Sequence, residues 1–157
     1  MLKNISSLIS PELLWLLASM GHGDDLILVD RNFPAIKVAK QTSTGRLIEL
    51  PGLNIPQATR AILSLMPLDH FIEEPVTRMR VVDDPETILE MQREVIEIAR
   101  EAEGREVKMG ALERFAFYEA ASKGAAVVRT SEFRPYGCFI FKMGVISDKL
   151  RRLPNDL

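Results

Sequence analysis

Short runs of strand-forming apolar residues alternate along this chain with stretches of helical apolar spacing, and that alternation leaves few folds open. Ser10-Pro11-Glu12 reads as an N-cap, a proline at the first helical position and an acid in the first turn. It opens a helix carrying Leu13, Leu14, Leu16, Leu17 and Met20, which Gly21 stops. Leu26 to Val29 is too short for an independent helix and reads as a strand. Arg31 to Ala35 is a loop, because Pro34 pushes the residue before it out of helical geometry. Strands are expected at Ile36 to Ala39 and Arg46 to Leu50, with Thr42-Ser43-Thr44-Gly45 as the turn between them. A helix follows from Pro56 to Leu65, ended by Pro67, and then a strand from Val76 to Val82.

Asp84-Pro85-Glu86 opens the longest amphipathic stretch, with Ile88, Leu89, Met91, Val95, Ile98 and Ala99 in its apolar pattern up to Gly104. A strand at Glu106 to Met109, a helix from about Leu112 to Ser122, and strands at Ala125 to Arg129 and Phe139 to Phe141 complete the series. The expectation is one compact α/β domain over residues 1–146, followed by a tail at 147–157.

A chain of 157 residues with 46% apolar and 27% charged residues is an ordinary globular composition with room for one core. The net charge of −2 supplies no electrostatic pull toward nucleic acid or an anionic membrane. The one compact basic group, Lys149-Leu150-Arg151-Arg152, reads as a solvated tail. A single cysteine forms no internal disulfide, which fits a reducing cytosol, and no apolar run approaches the ~20 residues of a membrane span. The expected location is therefore the cytoplasm.

The segment with the most chemistry is Met20-Gly21-His22-Gly23-Asp24-Asp25. An imidazole between two glycines sits where the backbone turns tightly and a ligand can approach the ring. Asp24 and Asp25 are placed to orient it for proton transfer. Asp30 ends the first strand, where ligand sites of α/β sheets concentrate. Six strand steps separate Asp24 from Asp30, ~20 Å if the chain runs straight. Either the chain bends there, or neighbouring subunits complete one another's pocket.

Arg114 and Tyr118 are four apart on a helix, which sets a guanidinium and a phenol on one face. Phe115 and Phe117 cannot both share that face, so at least one belongs to the core. Tyr136-Gly137-Cys138 offers a stacking ring and a hydroxyl, whereas Cys138 has no sequence neighbour that would make it a nucleophile. His22 and His70 fit no metal-binding spacing, and no glycine-rich phosphate loop occurs, so no cofactor is expected.

Taken in order, these blocks resemble the fucose mutarotase and ribose pyranase (RbsD/FucU-like) family of small sugar-anomer isomerases. The resemblance lies in Leu2-Lys3-Asn4-Ile5, Leu8 to Leu14, Met20 to Asp24, Asp30 before Phe33-Pro34-Ala35, and Glu113 to Glu119, and it extends to about Ile146. Arg114 and Tyr118 resemble the fucose branch; the ribose branch has histidine and lysine there. The resemblance implies His22 as catalytic acid/base, and Asp30, Arg114, Tyr118, Tyr136, Gly137 and Cys138 as sugar-binding groups. It also implies a cofactor-independent isomerase acting on a monosaccharide, L-fucose or a related aldose, and self-association into a ring, commonly a decamer. Cys138 departs from the family's usual asparagine, which leaves the preferred sugar open. The alternatives are a non-catalytic sugar-binding or regulatory module, and a pyranase interconverting ring sizes of a pentose.

Overall fold

The computed structural model describes residues 2–146; Met1 and the expected tail at 147–157, with its basic group, lie outside them. The elements run α1 (Pro11–Ser19), β1 (Asp25–Val29), α2 (Ala35–Ala39), β2 (Leu47–Leu50), α3 (Ile55–Leu63), β3 (Val76–Met79), α4 (Glu90–Glu103), β4 (Met109–Leu112), α5 (Arg114–Ser122), β5 (Ala126–Thr130) and β6 (Phe139–Lys142). One mixed sheet has the order β2-β5-β1-β6-β3-β4. β6 pairs antiparallel with both β1 and β3, whereas β1 with β5, β2 with β5 and β3 with β4 pair in parallel.

Five strands therefore point one way and β6 alone runs back through the middle. The segments after β1, β3, β4 and β5, and the one before β6, meet at one edge of the sheet, here called the carboxyl edge. The segments before β1 and β3, and the one after β6, meet at the opposite, amino edge.

Helices cover both faces. On one, Leu26, Leu28, Val76, Val128, Phe139 and Phe141 pack with α1, α3 and α4; on the other, Ile27, Val29, Val127 and Ile140 pack with α2 and α5. That double cover is why β1 reads as an unbroken apolar run: every residue from Leu26 to Val29 is buried. The helix starts follow local chemistry. The Ser10 side chain accepts from Leu13 N at 3.1 Å, with Pro11 in the first turn. Asn54 and Gln57 form a reciprocal capping box on α3, and Gly104, at φ 62°, ends α4 in the left-handed region.

Several expected boundaries differ. Ile36 to Ala39 lies in helix α2, not a strand; Ala35, Val38 and Ala39 are buried at helical spacing while Ile36 faces out. An apolar run this short has no period of its own, and packing decided it. β3 stops at Met79, because Val81 and Asp84 turn back on one another as an isolated bridge. α4 starts at Glu90 rather than near Asp84, with Leu89 still extended. β4 falls at Met109–Leu112 instead of Glu106 to Met109, so α5 begins at Arg114, capped by Glu113. Of the two α5 phenylalanines, Phe117 is core and Phe115 is exposed.

The loop between β5 and β6 is braced by one buried acid. Glu132 accepts from Arg134 Nε at 2.9 Å and Nη2 at 2.8 Å, and from the amides of Arg134 and Ile55 at 3.0 and 3.4 Å. The Arg134 hydrogen bonds outweigh burial and hold the Glu132 carboxyl below its ordinary 4.5. Among the described residues, no helix is long and apolar enough to cross a membrane.

Two outcomes follow. Phe117→Ala removes a fully buried ring and is expected to cost about 3–5 kcal/mol in chemical denaturation, with Tm falling ~2–4 °C per kcal/mol. Glu132→Gln is expected to cost about 1–3 kcal/mol at neutral pH, toward the low end because the partly exposed Arg134 can rehydrate. A carboxyl lowered on folding stabilises above its unfolded value and loses that contribution as it protonates. The gap between Glu132→Gln and the parent should therefore narrow as pH falls below 4.5 and through the lower folded value, read from paired melting curves.

Candidate active site

His22 stands on the turn between α1 and β1, at the amino edge. The turn is tied to the end of β6: Gly23 N donates to Met143 O at 2.9 Å and Met143 N to Asp24 O at 2.8 Å. The approach to β3 hangs on the same strand end, with Asp69 N donating to Lys142 O at 3.0 Å and Gly144 N to Pro67 O at 2.8 Å. Gly144 permits the crossing, since a Cβ there would stand 2.6 Å from Leu68 O and 2.7 Å from Asp69 Cα.

The result is a contact that sequence reasoning missed. His22 Nε2 lies 3.2 Å from Asp69 Oδ2, with the imidazole side chain 47% exposed and the carboxylate 4%. Burial pushes Asp69 up, but the Phe71 amide at 3.0 Å on Oδ1, the His22 hydrogen bond and the nearby histidines pull it down further, to a net value below 3.8. The acids expected to orient His22 are engaged elsewhere. Asp24 Oδ2 accepts from Gly21 N at 2.8 Å, and Asp25 pairs with Lys142 Nζ at 2.7 Å. Asp69 is 47 residues from His22, and its one sequence signal was its place beside His70 just after Pro67.

The remaining expected residues gather at the carboxyl edge. Asp30, directly after β1, is 2% exposed. Its Oδ1 accepts from Asn32 N at 2.8 Å, and its Oδ2 accepts from Gly137 N at 2.9 Å and faces Cys138 Sγ at 3.6 Å. Burial raises the Asp30 carboxyl above 3.8 against these donors. Burial, with Asp30 beside it, pushes the Cys138 thiol well up, so Cys138 stays a neutral thiol rather than a nucleophile.

Tyr118 is half-buried, edge-on to Phe33 with ring centroids 5.3 Å apart. Burial raises its phenol, reinforced by Cys138 and Asp30 and offset in part by Arg114. Arg114 opens α5 with its guanidinium 4.7 Å from the centre of the Phe115 ring. Tyr136 has φ 62° and accepts a hydrogen bond from Val82 N at 3.2 Å.

Six of the seven expected residues thus share one edge of the sheet, and His22 with Asp69 occupies the other. β1 runs between them as one continuous strand, paired in register with β5 and β6, and its five residues separate the two groups by ~17 Å of extended strand. Both groups carry exposed aromatic rings. Phe71, 68% exposed, lies 5.5 Å from the His22 ring centre, while Phe115 and Phe133 are 64% and 75% exposed around the other group.

The comparisons with known proteins agree with this architecture. A family model described as the RbsD / FucU transport protein family matches residues 3–146. A human protein named fucose mutarotase is 43% identical over 150 residues, covering 93% of this chain and 95% of its own. A solved fucose mutarotase in complex with L-fucose, from Streptococcus pneumoniae, is 36% identical with a TM-score of 0.82, over 93% of this chain and all of that one. FucU from Bifidobacterium longum gives a TM-score of 0.85 at 34% identity, over 92% and 100%. With nearly the whole described chain matched in sequence and in fold, the protein belongs to the RbsD/FucU family.

Proposed function

We propose that this chain is a cofactor-independent mutarotase that interconverts the α and β anomers of a monosaccharide, with L-fucose as substrate. The observation that carries the reading is the His22–Asp69 contact, a half-exposed imidazole gripped through one nitrogen by a buried carboxylate. The similarity to proteins named fucose mutarotase supports it.

Ring opening needs a base to take the anomeric hydroxyl proton and an acid to protonate the ring oxygen. Rotation about C1–C2 and reclosure on the other face then give the opposite anomer. An acceptor at Nε2 fixes which imidazole nitrogen carries the proton and leaves Nδ1 to exchange one with the sugar. In this mechanism Nδ1 of the neutral ring takes the anomeric hydroxyl proton, and the imidazolium so formed, still bonded through Nε2–H to Asp69, donates that proton to the ring oxygen on opening; closing reverses the two transfers. Asp69 keeps the ring in one tautomer and orientation. Positioned proton transfer contributes ~10²–10⁴-fold, enough to exceed spontaneous exchange.

Asp30, Arg114 and Tyr118, with the Tyr136-Gly137-Cys138 segment, hold the hydroxyls in this reading. Asp30 serves first by fixing Gly137 and Cys138, and Arg114 and Tyr118 offer donors. Because the two groups lie at opposite sheet edges, we propose that one copy's His22 edge faces another copy's Asp30 edge. Head-to-tail contacts close into a ring where the rotation between copies closes; the proposed assembly is such a ring, a decamer, and the exposed Phe71, Phe115 and Phe133 would be covered there. The single cysteine fits a reducing cytosol.

Saturation-transfer NMR of α- and β-L-fucose is expected to show catalysed exchange with the parent and a loss of ~10²-fold or more with His22→Ala; exchange undiminished in the variant would remove His22 from the mechanism. Sedimentation velocity should report a multiple of the 17.7 kDa chain. A monomer retaining full exchange would defeat the shared pocket.

A further inference from the structure

One polar side chain inside the core is unused by this mechanism. Gln92, fully buried, interrupts the apolar face of α4. Its Oε1 accepts from Leu89 N at 3.2 Å, and its Nε2 donates to Met79 O at 3.1 Å and Tyr136 O at 3.3 Å. A carboxamide can give two protons to two carbonyls while accepting a third bond; an ionised carboxylate has no proton to give, and an ammonium cannot accept.

The Tyr136 carbonyl belongs to the peptide unit whose N–H is Gly137 N, and that N–H donates to Asp30 Oδ2 at 2.9 Å. A single peptide plane is therefore held at both ends by buried side chains, Asp30 from β1 and Gln92 from α4. Tyr136 precedes that plane at φ 62°, a left-handed conformation unfavourable for a bulky residue and kept only where surroundings over-determine it. Rotating that plane alone alters ψ of Tyr136 and φ of Gly137; with both hydrogen bonds released, Tyr136 is free to leave the left-handed region and carry its ring with it. Met79, the other acceptor, donates its own N–H to Cys138 O at 3.1 Å, so the same carboxamide spans both sides of the Tyr136-Gly137-Cys138 segment.

We propose that Gln92 is a positioning residue for sugar recognition: with Asp30 it clamps the Tyr136–Gly137 peptide and so sets the direction in which Tyr136 meets the substrate. This rests on the reading of the Tyr136 segment as a sugar-binding element. Gln92 touches neither His22 nor Asp69, which lie at the other sheet edge, so its loss should act on affinity rather than on proton transfer.

Gln92→Leu keeps the bulk and removes both donors. In saturation-transfer NMR across an L-fucose titration, the expected result is a KM raised about tenfold or more with kcat within about twofold of the parent. An unchanged KM, or a fall in kcat alone, would overturn the assignment. Should the variant fail to fold, the parent protein still decides: the Gln92 side-chain NH2 signals should be protected from solvent exchange and should shift on saturation with L-fucose. Signals that exchange freely, or stay unmoved by saturating sugar, reject the clamp. A parent that neither binds L-fucose nor speeds its exchange would instead sink the mutarotase reading, while the NH2 protection would still report on the clamp itself.

Discussion

Burial of β1 on both faces is the constraint from which the rest of the molecule follows. Leu26 to Val29 lie fully enclosed, and enclosing them requires α1, α3 and α4 on one side and α2 and α5 on the other. A strand packed in this way is held straight by its neighbours on every side. The groups at its two ends are therefore kept apart by the strand's own length, and no small movement brings His22 to Asp30. In the proposed mechanism, that rigidity leaves assembly as the means of uniting proton transfer with sugar binding.

Each end is built by a different device. At the amino edge, β6 ends between two chain segments and hydrogen-bonds both, and Gly144 lets the Leu68–Asp69 backbone pass at a distance no side chain would allow. Asp69 is thereby presented to His22 by backbone pairing, without a flexible side chain reaching across. At the carboxyl edge the working segment is irregular, and its backbone polar groups need partners that no strand supplies. Asp30, Glu132 and Gln92 supply them, three buried polar side chains converging on the stretch between β5 and β6. Each is tolerated in the interior because its acceptors or donors are matched.

Much of this was legible in advance, for identifiable reasons. Strong local chemistry marked the capped starts of α1 and α3, the glycine-flanked turn at His22, and the strand end at Asp30. The four-residue spacing of Arg114 and Tyr118 placed them on one helix, and the steric argument about Phe115 and Phe117 sent one of them inward. Gln92 was not singled out, although it stands as a lone amide among the apolar positions of α4. Legibility failed for α2, where a run of a few apolar residues has no period of its own, and around Asp84 to Leu89, where turns replaced the expected first turns of α4.

The alternation of apolar periods by itself determined a layered α/β domain, and the glycines beside His22 determined an accessible imidazole, because both depend on interactions within a few residues of the chain. The partner of that imidazole was decided only by the tertiary structure. Asp24 and Asp25 are nearer in sequence, yet Asp24 is taken by the Gly21 amide within the turn, while strand pairing gives Asp25 to Lys142 and brings Asp69 from 47 residues away. The same holds for the Tyr136–Gly137 peptide, whose two clamps arrive from β1 and α4. Contacts of this kind are set by sheet order and helix packing, which no local spacing encodes.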